Sequence, residues 1–271
     1  MSKSTVCYFN GDYIRFNDLK IHVSDLMFQR GYGIFDFFRT RNGQIPWLED
    51  YMDRLFNSLE LAALEILPNR NEFKEIIREL GQRNGLRNGA FKVIVTGGYS
   101  DSLDAVSGQA NLIILNIPWM LPPEKSFIQG VSLLSYPFIR PNPEIKTLNY
   151  FNTLMLRKKM KEYNAVDILL HGDNISEASR ANIFCIKNRT IYTPASNILP
   201  GITRKQVLSL IPEIILEDIP YSSLFEFDEV FITSTSRDVT PVVSVDGNKI
   251  GNGTPGKITR EIIQQFRSKG F

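Results

Sequence analysis

The chain has 271 residues, with 31 basic against 29 acidic side chains for a formal net charge of +2, and it is 43% hydrophobic and 22% charged. That length allows one large or two modest domains with a real core. The balance excludes a disordered chain and gives no reason to expect a nucleic-acid or membrane partner.

No uncharged apolar run is long enough to span a bilayer, and the opening Met1-Ser2-Lys3-Ser4-Thr5-Val6 lacks the apolar core of a signal peptide. Cys7 and Cys185 both lie in apolar, strand-like runs, which predicts buried thiols rather than a disulfide. With only His22 and His171, and no paired-cysteine motif, no metal site is expected. The expected location is the cytoplasm.

In chain order, Val6 to Phe9 reads as a strand, and Asn10-Gly11 turns it into a hairpin. Gly31 and Gly33 precede a buried strand carrying Phe35, Phe37 and Phe38; glycines there let backbone pass close to something or make a bulge. Leu48 to Leu64 repeats apolar residues every three and four positions, an amphipathic helix with Arg54 off the centre of the stripe. A second helix follows over Arg70 to Arg83. Strands over Phe91 to Thr96 and Leu112 to Ile117 flank a polar loop from Gly97 to Ala110. Pro118, Pro122 and Pro123 then mark a linker.

The second half opens with a strand over Val131 to Tyr136 and a lysine-bearing turn, Ile145-Lys146-Thr147-Leu148-Asn149. A helix over Tyr150 to Tyr163 follows, with a solvated basic face at Arg157, Lys158, Lys159 and Lys161. Strands are expected at Asp167 to Leu170, Ile183 to Ile186, Thr190 to Tyr192, Ile214 to Leu216 and Glu229 to Ile232. An acidic loop carries Glu177, and a hydroxyl-rich loop covers Thr233 to Arg237. Helices are expected over Thr203 to Leu210 and Gly256 to Phe266. Strands and helices mix without a strict βαβ rhythm, which predicts an α+β fold. The domain bounds read from this pattern are 1–117, a linker at 118–126, and a second domain at 127–271 that carries Lys146.

Taken alone, Lys146 is an ordinary loop cation, Glu177 a surface glutamate and Gly201-Ile202-Thr203 a helix start. Together they supply an amine, a carboxylate and a phosphate cradle. Pyridoxal 5'-phosphate (PLP) needs all three: a lysine to hold it and carry a proton, a carboxylate to keep the pyridine nitrogen protonated, and N–H and hydroxyl donors for its phosphate. Gly201 allows close approach, Ile202 and Thr203 offer N–H groups, and the Thr203 hydroxyl is expected to cap the helix and reach the phosphate. Ser234 and Thr235 add hydroxyls.

The joint spelling of four runs is more specific. Ile145-Lys146-Thr147-Leu148-Asn149-Tyr150, Ser176 through Phe184, Tyr192-Thr193-Pro194 and Leu199 through Arg204 resemble the class IV (fold type IV) PLP-dependent aminotransferases. These include branched-chain amino acid aminotransferases, D-amino acid aminotransferases and aminodeoxychorismate lyases. The resemblance covers nearly the whole chain, from Asn10-Gly11, Ser24-Asp25 and Gly31-Tyr32-Gly33-Ile34-Phe35-Asp36 to Thr233-Ser234-Thr235, Thr240-Pro241-Val242 and Ser244-Val245-Asp246-Gly247. It implies a two-domain α+β fold with the site between domains, and a homodimer whose partner loop closes the substrate pocket. It implies that Lys146 holds the cofactor covalently, that Glu177 pairs with its ring nitrogen, and that Tyr150 meets its phenolic oxygen. Arg54, Ile202, Thr203 and Thr235 would take the phosphate, with Leu199 on the ring.

For the substrate, Leu199 to Arg204 and Thr240 to Gly247 look most like branched-chain aminotransferases. Phe35 stands where D-specific relatives tend to carry tyrosine, and Gly97 stands where they and the lyases tend to carry arginine. Lys92 stands near where branched-chain enzymes have a pocket arginine, whose bidentate fork it lacks, and a lysine appears there in the lyases. Arg180 is an unusual charge beside the expected cofactor. The resulting expectation is transfer of an amino group from a hydrophobic or branched L-amino acid to 2-oxoglutarate or another 2-oxo acid. The alternatives are a lyase releasing pyruvate and a non-catalytic phosphate-ligand-binding homologue. Phe35, Lys92 and Arg180 are the expected substrate contacts.

Overall fold

The computed structural model describes residues 5–102 and 109–269; the middle of the expected Gly97–Ala110 loop therefore lies outside the described residues. Packing divides the chain into two units. One comprises Met1–Met120 with Ile145–Asn149, the other Leu121–Glu144 with Tyr150–Phe271.

In the first unit the strands are β1 (Val6–Phe9), β2 (Asp12–Arg15), β3 (Gly33–Thr40), β4 (Gly89–Thr96) and β5 (Asn111–Pro118), with helices α1 (Leu26–Arg30), α2 (Leu48–Leu61) and α3 (Arg70–Asn84). The strands form an antiparallel sheet in the order β2-β1-β5-β4-β3. Period-two alternation gives β3 two faces. Ile34, Asp36 and Phe38 are buried, and Phe38 stacks on Phe91 at 5.5 Å and meets Tyr51 of α2 at 5.4 Å. Phe35, Phe37 and Arg39, on the opposite face, are only half-buried. Helix α2 stops short of the expected Leu64 because Ala63 takes a left-handed φ of 49°.

The stretch Ile145–Asn149 extends this sheet at β3. Phe35 N–H donates to Lys146 O at 2.9 Å, Leu148 N–H to Gly33 O at 3.1 Å, and Thr147 bridges Ile34. Lys146, expected within the second domain, thus packs with the first unit. Gly33 is what lets it in: a Cβ there would sit 2.8 Å from Leu148 Cδ1 and 2.9 Å from Val95 O.

The second unit holds α4 (Lys125–Ile128), β6 (Val131–Pro137), α5 (Phe151–Met155), α6 (Arg157–Glu162), β7 (Ala165–His171), β8 (Asn174–Ala178), β9 (Asn182–Lys187) and β10 (Thr190–Thr193). Then come α7 (Ile202–Leu210), β11 (Ile215–Leu216), β12 (Ile219–Pro220), β13 (Glu229–Ser234), β14 (Asp238–Val245), β15 (Asn248–Lys249) and α8 (Lys257–Ser268). The sheet order is β11-β10-β9-β13-β14-β6-β7-β8-β12, with β15 on β14; β14, β6 and β7 run parallel and most other pairs antiparallel. One core face gathers Leu133, Leu169, Ile183, Ile232, Val242, Leu224 and Phe227. Elsewhere in the sheet Phe184 stacks on Phe231 at 4.7 Å. Cys7 and Cys185 are buried free thiols. No helix among the described residues is long and apolar enough to cross a membrane.

Two expected elements change. The helix over Tyr150 to Tyr163 is two short helices meeting at Leu156, whose ψ is 1°. Its apolar residues do not share one face: Leu156 and Met160 pack on Leu134, Ile168 and Leu170, while Phe151, Leu154 and Met155 stay exposed. The second change is at Glu177, which lies in strand β8 rather than on a loop. Burial of Ile175, Ser176, Glu177 and Ala178 in succession removes the alternation that would have marked it as a strand.

Candidate active site

In the first unit the expected residues gather on the half-buried face of the sheet and under it. Lys146 Nζ lies 4.6 Å from the centroid of the Phe35 ring, and Lys92 Nζ lies 5.7 Å from the same ring. The β3–β4 register sets this up, pairing Phe35 with Ile94 and Phe37 with Lys92, so that Phe35 and Lys92 are diagonal neighbours on one face. Two ammonium groups therefore flank one aromatic ring, a geometry favourable to cation–π attraction. The Lys146 backbone N–H reaches Ser58 Oγ on α2 at 3.5 Å.

Arg54 is not a surface charge. It is buried, and its guanidinium grips Asp36 with Nε to Oδ2 at 2.9 Å and Nη2 to Oδ1 at 2.6 Å. Asp36 was not among the expected site residues, and its signal was faint: a lone acid on the core face of an aromatic strand. Gly97 has a steric reason as well. A Cβ there would collide with the Tyr32 ring, which is anchored through its hydroxyl to Ala62 O at 2.5 Å.

In the second unit Glu177 is buried between two donors. Arg140 Nε donates to Oε1 at 2.9 Å and Leu199 N–H donates to Oε2 at 2.8 Å. A hydrogen bond from Arg140 to Pro143 O ties the guanidinium down further. Arg140 escaped sequence reasoning because no motif surrounds it and its partner is distant in sequence. The Leu199 carbonyl accepts from Asn182 Nδ2 at 2.8 Å, so the half-buried Leu199 is clamped on both sides of its peptide.

Tyr150 lies in the electrostatic field of the same group. Burial raises its phenol above the ordinary tyrosine value, Asp167 and then Glu177 push it further, and Arg180 and Arg140 oppose them. The hydroxyl is accordingly a proton donor throughout the neutral range. Arg180 pairs with the buried Asp167 at 3.3 Å and donates to Val166 O at 2.8 Å.

Helix α7 begins at Ile202 with Gly201 as N-cap and no side-chain cap. The Thr203 hydroxyl therefore does not cap the helix as expected; the residue lies inside the first turn, two positions past the N-cap. The Ile202 and Thr203 residues are nevertheless buried, and no acceptor among the described residues takes their N–H groups. Thr233, one position before Ser234, has a buried hydroxyl without a partner. Ser234 Oγ faces Ser236 Oγ at 3.3 Å, in the loop that follows β13, the strand α7 packs against. Open N–H groups at a helix start and an orphaned buried hydroxyl are what a phosphate would satisfy. The donor set fits PLP.

The sequence and fold comparisons agree with this chemistry. A family model described as "Amino-transferase class IV" matches residues 33–245. The chain is 31% identical to a putative branched-chain-amino-acid aminotransferase of Methanocaldococcus jannaschii, covering 96% of this chain and 94% of that one. It is 30% identical to a D-alanine aminotransferase of Staphylococcus haemolyticus, covering 97% and 96%. The solved branched-chain amino acid aminotransferase of Escherichia coli superposes with a TM-score of 0.90 at 25% identity, covering 98% and 94%.

The fold is thus that of the α+β PLP aminotransferases. This chain belongs to the class IV aminotransferase family, an enzyme family whose cofactor is pyridoxal 5'-phosphate.

Proposed function

We propose that this protein is a cytoplasmic homodimeric transaminase that passes the amino group of a hydrophobic or branched L-amino acid to 2-oxoglutarate or a similar 2-oxo acid. The observation that carries the reading is the pair of ammonium groups at the Phe35 ring: Lys146 at 4.6 Å and Lys92 at 5.7 Å. One serves as the covalent anchor and the other remains for a substrate carboxylate, against an aromatic wall without a hydroxyl. The small Gly97, packed under Tyr32, leaves no place for an arginine. The resemblance to branched-chain enzymes in the Leu199–Arg204 run points the same way.

When bound, PLP supplies the electron sink that acidifies the substrate's α-proton. The remaining work belongs to the chain. Lys146 would hold the cofactor, and its Nζ would move the substrate's α-proton. Glu177, fixed by Arg140 and Leu199, would pair with the ring nitrogen and keep it protonated. Tyr150 would hydrogen-bond the cofactor's phenolic oxygen through its hydroxyl. Arg54, Gly201, Ile202, Thr203, Ser234 and Thr235 would hold the phosphate, and Leu199 would pack on the ring. Phe35, Lys92 and Arg180 face the substrate. The exposed Phe151, Leu154 and Met155, at 71%, 65% and 53% exposure, form an apolar face on α5 that supports self-association.

The test combines colour and a donor panel. Purified protein should show the visible absorbance of lysine-bound PLP, and Lys146→Ala should abolish it. With 2-oxoglutarate as acceptor, leucine, isoleucine and valine should outrun phenylalanine, D-alanine and D-glutamate. Pyruvate release from aminodeoxychorismate without amino transfer would replace this reading with the lyase. Light scattering in solution should give twice the chain mass.

A further inference from the structure

The hairpin between β13 and β14 presents an arginine that the roles above do not use. Register pairs Ser234 with Asp238, leaving Thr235-Ser236-Arg237 as a three-residue loop. Arg237 N–H donates to Ser234 O at 3.1 Å, Thr240 Oγ1 donates to Arg237 O at 2.6 Å, and Asp238 takes a left-handed φ of 51° to close the turn. The backbone of Arg237 is therefore fixed at both its peptide groups, and its side chain is half-buried.

The guanidinium is under-served for a group so placed. Of its five N–H donors, one is used: Nη2 donates to Val166 O at 3.2 Å. Among the described residues it forms no ion pair. The nearby carboxylate, Asp167, is engaged elsewhere; it accepts from its neighbour's Ile168 N–H at 2.9 Å, from Ser179 Oγ and from Arg180 Nε. Arg180 also donates to the carbonyl that holds Arg237, so two guanidinium groups converge on Val166 O beside one acid. Burial lowers the pKa of Arg237, Asp167 opposes that and Arg180 adds to it, so removal from water is the larger effect. A desolvated cation with spare donors and a like charge beside it is costly unless an anion completes it.

We propose that Arg237, with Arg180 beside it, binds a carboxylate of the amino-acid and oxo-acid substrates. The inference rests on the transaminase reading, since it supplies the carboxylate. Arg180 and Asp167 act on both Tyr150 and Arg237, so a carboxylate that pairs with Arg237 also meets a second guanidinium. The planar fork of Arg237 can engage both oxygens of that group. The loop carrying it also carries the Ser234 and Thr235 hydroxyls, so substrate recognition and phosphate recognition lie on one hairpin.

The test uses inert carboxylates, so that it does not depend on turnover. PLP-loaded wild type, Arg237→Met and Arg237→Lys are titrated calorimetrically with succinate and with propionate. Arg237→Met keeps the aliphatic stem and loses only the donors, and melting temperatures and PLP absorbance confirm that both variants fold and load. The expected result is succinate binding weakened about tenfold or more in Arg237→Met and partly restored in Arg237→Lys. Weakened propionate binding as well assigns Arg237 to the carboxylate that every substrate has; weakening confined to succinate assigns it to a second, distal carboxylate. Succinate affinity within twofold of wild type in Arg237→Met, or no saturable succinate binding to wild type, overturns the proposal. A protein that loads PLP and transfers amino groups, yet shows either result, keeps the transaminase reading and loses this one.

Discussion

Arg54 and Asp36 form a bidentate ion pair in which both side chains are nearly sealed from solvent, at 7% and 1% side-chain exposure. A sealed cation bound on one edge is oriented by that bond, so Asp36 fixes the direction in which the Arg54 guanidinium points. Removing one partner of such a pair leaves a buried charge without its counterion, a change that costs about 3–5 kcal/mol. Asp36→Ala and Arg54→Ala should each lower unfolding stability by about that amount, and the double variant should cost much less than the sum. Urea denaturation of the three variants checks this; additive losses would mean that the pair carries no coupling. If Arg54 also takes the phosphate, Arg54→Ala should weaken PLP far more than pyridoxal, which lacks that group.

The Arg140–Glu177 pair is more open, with 16% and 6% side-chain exposure, so solvent screening reduces its worth. Arg140→Ala should cost about 1–3 kcal/mol, below the range for a sealed pair. Glu177→Gln keeps the shape and still accepts from Leu199 N–H, yet it loses the charge. Its amide nitrogen would face the Arg140 donor, so stability should fall by about as much as in Arg140→Ala, while kcat should fall about a hundredfold or more. A variant with native kcat would mean that Glu177 does not serve the ring nitrogen.

Gly201 admits no side chain. A Cβ there would run into Asn182 Oδ1, and Asn182 Nδ2 in turn holds Leu199 O at 2.8 Å. Gly201→Ala should therefore displace Asn182 and loosen Leu199, with about 1–3 kcal/mol lost and PLP affinity reduced. The opposite outcome, a stabilised protein with unchanged affinity, would show that the α7 start tolerates a rearrangement this packing forbids.

Tyr150 gives a dependence on pH. Its folded-state pKa is raised by burial, with Asp167 next, above the unfolded value of about 10. The folded state then holds a proton that the unfolded chain releases, so the contribution to stability is intact below pH 10 or so and is lost as pH climbs through the folded value. Tyr150→Phe lacks this titration. Comparing urea midpoints of the two proteins from neutral to alkaline pH should show wild type declining more steeply above about pH 10; parallel curves would place the phenol in an ordinary aqueous setting.

Much of the architecture could be read in the chain before any coordinates, because apolar periodicity and turn residues are local signals. The α2 stripe, the Asn10-Gly11 hairpin and the strands on either side of residues 97–110 are of this kind. What escaped is tertiary. Glu177 reads as loop because β8 is buried on both faces and shows no alternation. Asp36 and Arg140 each complete a site residue from a distance of 18 and 37 positions, and a single acid or base carries no mark of its future partner. Arg54 shows the same limit from the other side, since its position off the centre of the α2 stripe suggests solvent, whereas the bond to Asp36 draws it into the core.

The placement of Ile145–Asn149 in the first unit has a consequence for anyone who would take this protein apart. The chain changes unit at 120/121, at 144/145 and again at 149/150, so no single cut yields both units whole. A fragment beginning at Leu121 carries Lys146 away from Phe35 and Gly33, while one ending at Met120 leaves the free edge of β3 without the strand-like pairing it has in the intact chain. Grafting either half onto another scaffold would have to move the lysine stretch as a separate piece, which makes this enzyme poorly suited to domain exchange and well suited to complementation by a short peptide.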